Sequence, residues 1–166
     1  MKKLRFIAPI LLIVSLMLVA CGGDDDNTAT TPSVADGVIQ VVRQILADAN
    51  PDTAQGQVLQ LTRVIIPAGE GIAPHDHPGP QLAIIVSGTL TYTVIDGEAH
   101  VTRAAATDNE ESVTYKSGDT FELKPGDSIM ERTKMVHKAA NETEAPVIIY
   151  LSSLFPQDAP PATTVE

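Results

Sequence analysis

The chain has 166 residues, 43% of them hydrophobic and 4% aromatic, with a formal net charge of −10 at pH 7 and a single cysteine. An acidic balance of this size argues against nucleic acid as a partner, because phosphate neutralisation needs clustered Lys and Arg. One cysteine excludes an internal disulfide, and the length suits one ordinary core.

Met1 to Arg5 is basic, and the apolar run from Phe6 to Ala20 is interrupted by Pro9 and Ser15. Too short and wrongly flanked for a stable bilayer span, residues 1–20 read as a signal peptide. Leu18-Val19-Ala20-Cys21 resembles the lipobox of bacterial lipoproteins, which implies cleavage before Cys21 and lipidation of that residue. The other reading of Cys21 is a residue inside an uncleaved anchor. Residues 21–34 are rich in Gly, Asp, Asn and Thr and read as a flexible tether; Asp24 to Asp26 lacks the turn and closing Glu of a calcium loop. Loss of Lys2, Lys3 and Arg5 with the leader makes the remainder more acidic still. The expected membrane attachment is therefore through lipid at Cys21 alone, with the domain in the extracytoplasmic cell envelope.

Residues 35–156 form the expected domain. Val38 to Leu46 has helical length but β-branched content, and is assigned as a strand. Gln57 to Ile66 is a strand closed by the Pro67-Ala68-Gly69 turn, and the nearly continuous apolar run from Gln81 to Val86 predicts a buried strand. Thr89 to Ile95 alternates, and Asp96-Gly97 predicts a hairpin into Glu98 to Arg103. Further short strands are expected at Val113 to Tyr115, Thr120 to Leu123, Ser128 to Met130, Val136 to Ala139 and Pro146 to Leu154. Many short strands with Gly and Pro turns and no long helix indicate an all-β sandwich or barrel. The segment Glu98 to Ser112 is expected to be an extended hairpin covering the barrel mouth or meeting a second subunit. The proline-bearing tail, residues 157–166, is expected to be disordered.

Chemistry concentrates at His75-Asp76-His77, with Gln81 four residues beyond His77, and at His137. Side chains alternate along a strand, so His75 and His77 share a face and Asp76 takes the other. By the same parity Gln81 carries Ala83 and Ile85 inward with it, and His137 is flanked by Met135 and Ala139. Neutral imidazole is the commonest ligand for Zn, Cu, Fe and Ni. His100 has no partner at ligand spacing and reads as a solvent-facing strand residue.

Gly69, His75, His77, Gln81 and Gly88 stand in the register of the first conserved motif of the cupin family, with Gln81 where that motif has Glu. Gly126, His137 and Asn141 keep the spacing of the second motif, whose Pro and Gly are replaced by Arg132 and Lys134. The resemblance covers about residues 56 to 155 and implies a single jelly-roll cupin barrel, a double-stranded β-helix. It implies a divalent ion (Fe, Mn, Zn, Ni or Cu) held by His75, His77, His137 and Gln81, with positions left open for substrate. A site of three neutral imidazoles and an amide leaves the metal charge uncompensated, so a small anionic organic ligand is expected. Three functions stay open: a metal-dependent enzyme of oxygenase, isomerase or lyase type, a ligand-binding or sensing lipoprotein without turnover, and a metal-free interaction module. A homodimer through sheet edges is compatible with each.

Overall fold

The computed structural model describes residues 40–166. The expected signal peptide and tether, with Cys21, lie outside the described residues. Among the described residues twelve strands follow one another without a helix: β1 (Val42–Ala49), β2 (Gln57–Ile66), β3 (Gly71–Asp76), β4 (Gln81–Ser87), β5 (Leu90–Asp96), β6 (Glu98–Arg103), β7 (Glu111–Lys116), β8 (Thr120–Leu123), β9 (Ser128–Glu131), β10 (Val136–Ala140), β11 (Val147–Pro156) and β12 (Thr163–Thr164). They form two antiparallel sheets, one ordered β1-β2-β11-β4-β9-β6-β7 and the other β12-β3-β10-β5-β8. Alternating side chains from both sheets meet inside, where Ile66, Ile85, Tyr92, Val94, Leu123 and Val147 are almost wholly buried. This is the all-β class expected from the strand pattern, in the jelly-roll arrangement that the cupin resemblance implies.

Several expectations require correction. Asp96-Gly97 does not close a hairpin: β5 pairs with β8 and β10, whereas β6 pairs with β7 and β9, so Gly97, at φ 94°, carries the chain from one sheet to the other. The extended hairpin is β6–β7, and it forms the edge of the larger sheet; none of its residues reaches the central cavity. The apolar run in β4 is buried on one face only, since Leu82, Ile84 and Val86 are exposed while Gln81, Ala83 and Ile85 face inward. The tail is not disordered. Thr163 and Thr164 pair with Asp76 and His75, so the domain continues past residue 156 and covers the outer edge of β3.

Register places the chemistry. His137 lies directly opposite His75 on the neighbouring strand, and directly opposed residues share a face. In the other sheet Gln81 lies directly opposite Glu131. The histidines of one sheet therefore look across the barrel at the amide and carboxylate of the other. Gly88 fixes the turn after β4, since a Cβ there would stand 2.8 Å from the Pro146 carbonyl oxygen at a φ of 76°.

In the loop before His137, Lys134 stands where the motif has Gly. It takes the left-handed conformation, with φ 64°, and its amide donates to the carbonyl of His77 at 3.0 Å. Its ammonium, 3.2 Å from Asp76, sits on the outer face, as alternation around His75 and His77 requires. Left-handed backbone costs an L-residue about 1–2 kcal/mol, and a β-branched side chain tolerates it worst. Lys134→Gly is therefore expected to leave the melting temperature unchanged or raise it, while Lys134→Val lowers stability by about 1–2 kcal/mol. Thermal unfolding of the two variants decides, and a Val variant as stable as the native protein would mean that the loop is not held in this conformation.

Candidate metal centre

His75, His77 and His137 are all buried, and one ring nitrogen from each lies within 4.8 Å of the others. Each ring is oriented by its second nitrogen. His75 Nδ1–H donates to the Ala73 carbonyl at 2.8 Å, His77 Nδ1–H to the Pro161 carbonyl at 2.7 Å, and His137 Nδ1–H to the Met135 carbonyl at 3.4 Å. A carbonyl only accepts, so these contacts put a proton on Nδ1 of each ring, and in the neutral form of each the lone pair is on Nε2. Backbone partners of this kind fix the tautomer of metal-ligating histidines. Tyr92 stacks on His137 with ring centroids 5.0 Å apart, and Phe155 stacks on His77 at 5.7 Å.

The sequence reading missed Glu131. Its carboxylate is 4% exposed and accepts from Tyr92 Oη at 2.8 Å and from Gln81 Nε2 at 2.8 Å. Its oxygens also stand 3.3 Å from His77 Nε2 and 3.4 Å from His137 Nε2. The motif position carries an amide, and the acid has moved one strand across, to the register partner of Gln81. One signal was available: Ile129 is an inward apolar residue of β9, and parity points Glu131 the same way. The expectation of an uncompensated metal charge loses its premise here, because Glu131 supplies a negative charge.

Protonation follows from these neighbours. Burial alone would raise the pKa of Glu131, but the charge of His137 and the bonds with His77 and Tyr92 outweigh it and hold it at about 2. Burial also acts on His75, and with His137 beside it lowers its pKa to about 4. For His77 burial is overcome by the hydrogen bond and charge of Glu131, and its pKa is raised above 6.5. His137 is lowered by burial, with Glu131 opposing.

Gln81 donates its amide N–H to Glu131 and lies 3.3 Å from His77 Nε2, while its Oε1 is buried without a partner. Three convergent imidazoles, an adjacent carboxylate and an orphaned amide oxygen fit a divalent cation well. Asn141 has a different part. Its buried amide donates to the carbonyls of Ile66, Pro67 and Ala145 at 2.8–3.0 Å, so the second-motif Asn ties strand ends together outside the cluster. His100 is on the outer face, bonded to Thr114 at 3.0 Å and to Arg132 at 3.1 Å, as expected of a solvent-facing residue.

The cluster closes one end of a cavity of about 50 Å³ whose remaining wall is mostly apolar, with Val64, Ile72, Ala83, Ile85 and Leu90. Ala83, Ile85 and Ala139 line it as parity predicted, whereas Met135 is buried elsewhere. The space admits an ion and a few water-sized groups.

Solved structures similar to this chain have the cupin fold. A cupin 2 domain-containing protein from Halorhodospira halophila is 12% identical, with a TM-score of 0.50 over 79% of this chain and 76% of that one. A cupin superfamily protein from Desulfitobacterium hafniense is 16% identical, with a TM-score of 0.47 over 70% and 78% of the two chains. A cupin 2 conserved barrel domain protein from Leptotrichia buccalis is 22% identical, with a TM-score of 0.47 over 69% and 41%. No family model matches the chain, and no curated protein matches its sequence.

A metal ion must displace the proton that Glu131 stabilises on His77, whereas His75 is already neutral. Metal affinity is therefore expected to rise with pH through the raised pKa of His77 and to level off above it. Zinc titration in two buffers, with proton release read by calorimetry, checks this: more protons leave at about pH 6 than at about pH 8. Glu131→Gln should shift the inflection to lower pH and weaken metal binding by about 10–100-fold. Unaltered affinity in that variant would remove Glu131 from the surroundings of the metal.

Proposed function

We propose that this cupin-fold chain is a metal-dependent protein acting on a small organic molecule, with His75, His77 and His137 as the metal ligands and Gln81 Oε1 as a fourth donor. The observation that carries this reading is the shared orientation of the three rings, each tied by Nδ1–H to a backbone carbonyl with Nε2 turned inward. A bound divalent ion supplies Lewis acidity and positions open to substrate. The chain's own residues do the rest: Glu131 holds a compensating negative charge, Tyr92 keeps that carboxylate hydrogen-bonded, and the apolar wall excludes bulk water. A carboxylate held at about pKa 2 is a poor proton acceptor near neutral pH, so Glu131 serves as charge partner and not as general base.

The leader and Leu18 to Cys21 complete the proposal: the domain is tethered by lipid at Cys21 on the extracytoplasmic side of a bacterial membrane. The apolar outer face of β4 is the surface on which a second copy would sit in a homodimer.

Elemental analysis of purified His75→Ala, His77→Ala, His137→Ala and His100→Ala proteins tests the ligand set. The first three should lose most of their metal while the fourth keeps it; equal content in all four would sink the assignment. A substrate screen with the metal-replete and metal-stripped protein then separates turnover from binding. For the anchor, Cys21→Ser should abolish incorporation of labelled fatty acid, and continued labelling would refute lipidation.

A further inference from the structure

A belt of polar residues crosses the inner wall of the larger sheet. Glu131 lies opposite Gln81, Gln81 opposite Ser153, and Ser153 opposite Gln60, in direct register across β9, β4, β11 and β2. Thr62 stands two residues from Gln60 on the same face. Directly opposed residues share a face, so the burial of Gln81, Ser153 and Thr62 marks the belt as inward. Three belt atoms, Gln81 Oε1, Ser153 Oγ and Thr62 Oγ1, are buried without a hydrogen-bond partner among the described residues. An unmet buried polar group costs about 1–3 kcal/mol, and of the three Gln81 lines the metal cavity, where a ligand or water supplies the missing bond; Ser153 and Thr62 line neither that cavity nor the outer one.

On β1 the register partner of Gln60 is the exposed Asp48, and Arg43 lies further along the same strand. It is opposite the buried Val64, so its side chain starts inward from β1 while the residue as a whole stays exposed. Arg43 lines both the metal cavity and a second cavity of about 230 Å³, and it is the single residue common to the two. That outer cavity is walled by Ile45, Val58 and Phe155 with the amides of Gln60 and Gln157, and it contains no acid. Among the described residues no carboxylate lies within salt-bridge distance of the guanidinium, although the chain carries a net charge of −10. The planar fork of Arg is suited to bidentate recognition of a carboxylate.

We propose that Arg43 anchors, in the outer cavity, the carboxylate of a small organic acid whose other end enters the metal cavity that Arg43 and Gln81 also line. The proposal rests on the metal-site reading and supplies the class of molecule that the site takes. It gives the anionic ligand a source of attraction that survives the compensating charge of Glu131.

The probe is succinate, with succinamide as its neutral counterpart, titrated calorimetrically into the zinc-loaded and the metal-stripped protein. Succinate should bind the native protein and succinamide should not. Arg43→Gln should weaken succinate at least about tenfold in both preparations, with zinc content unchanged, while Arg43→Lys retains part of the affinity. Equal succinate affinity in native and Arg43→Gln proteins, or equal binding of succinamide, overturns the proposal. If the histidines hold no metal, the comparison on the stripped protein still decides for or against Arg43, so the two failures are separable.

Discussion

Glu131 is almost wholly withdrawn from bulk water, and the interior around it is arranged to make that tolerable. A buried carboxylate left without partners costs several kcal/mol, so its neighbours are constrained as tightly as it is. Tyr92 must point its hydroxyl at one oxygen and Gln81 its amide at the other, each at 2.8 Å. Those two constraints propagate: Tyr92 is thereby held flat against His137, and the amide of Gln81 is turned so that its oxygen is left over. Site geometry thus descends from satisfying one charge. Replacing any of these partners with an apolar residue would strand the carboxylate, and about 3–5 kcal/mol is the usual consequence.

The two sheets divide the labour. One contributes imidazoles, whose second nitrogens are engaged by backbone carbonyls, and the other contributes an acid, an amide and a line of hydroxyls. Neither face alone would make a centre; the sandwich brings them within a few ångströms. The apolar remainder of the cavity lowers the local dielectric, which strengthens every charge interaction made there.

Much of this was legible in the chain because a strand reports its faces directly. The spacing of His75 and His77 fixes their common side, and the parity that turns Gln81 inward also turns Ala83 and Ile85. Positions that depend on which strands become neighbours were not legible. Glu131 belongs to no metal-ligand spacing, and it matters because β9 pairs with β4 in one register and not another. Asp96-Gly97 has the residues of a tight hairpin, yet tertiary pairing places its two strands in different sheets. The aliphatic run of β4 reads as buried, although only alternate members are covered. Lys134 shows the converse, a left-handed position that its residue type does not announce.

The short strand β12 changes how the far end of the chain should be regarded. By composition residues 157–166 are polar, proline-bearing and dispensable, yet Pro161 supplies the carbonyl that holds His77 Nδ1–H from 84 positions away. Cutting the chain between Pro156 and Pro161 would remove no ligand and no part of the aliphatic core. It would nevertheless free one imidazole to rotate and to exchange tautomers, and would uncover the edge of β3 beside it. A proteolytic nick at the periphery would thus act on the orientation of a histidine at the centre.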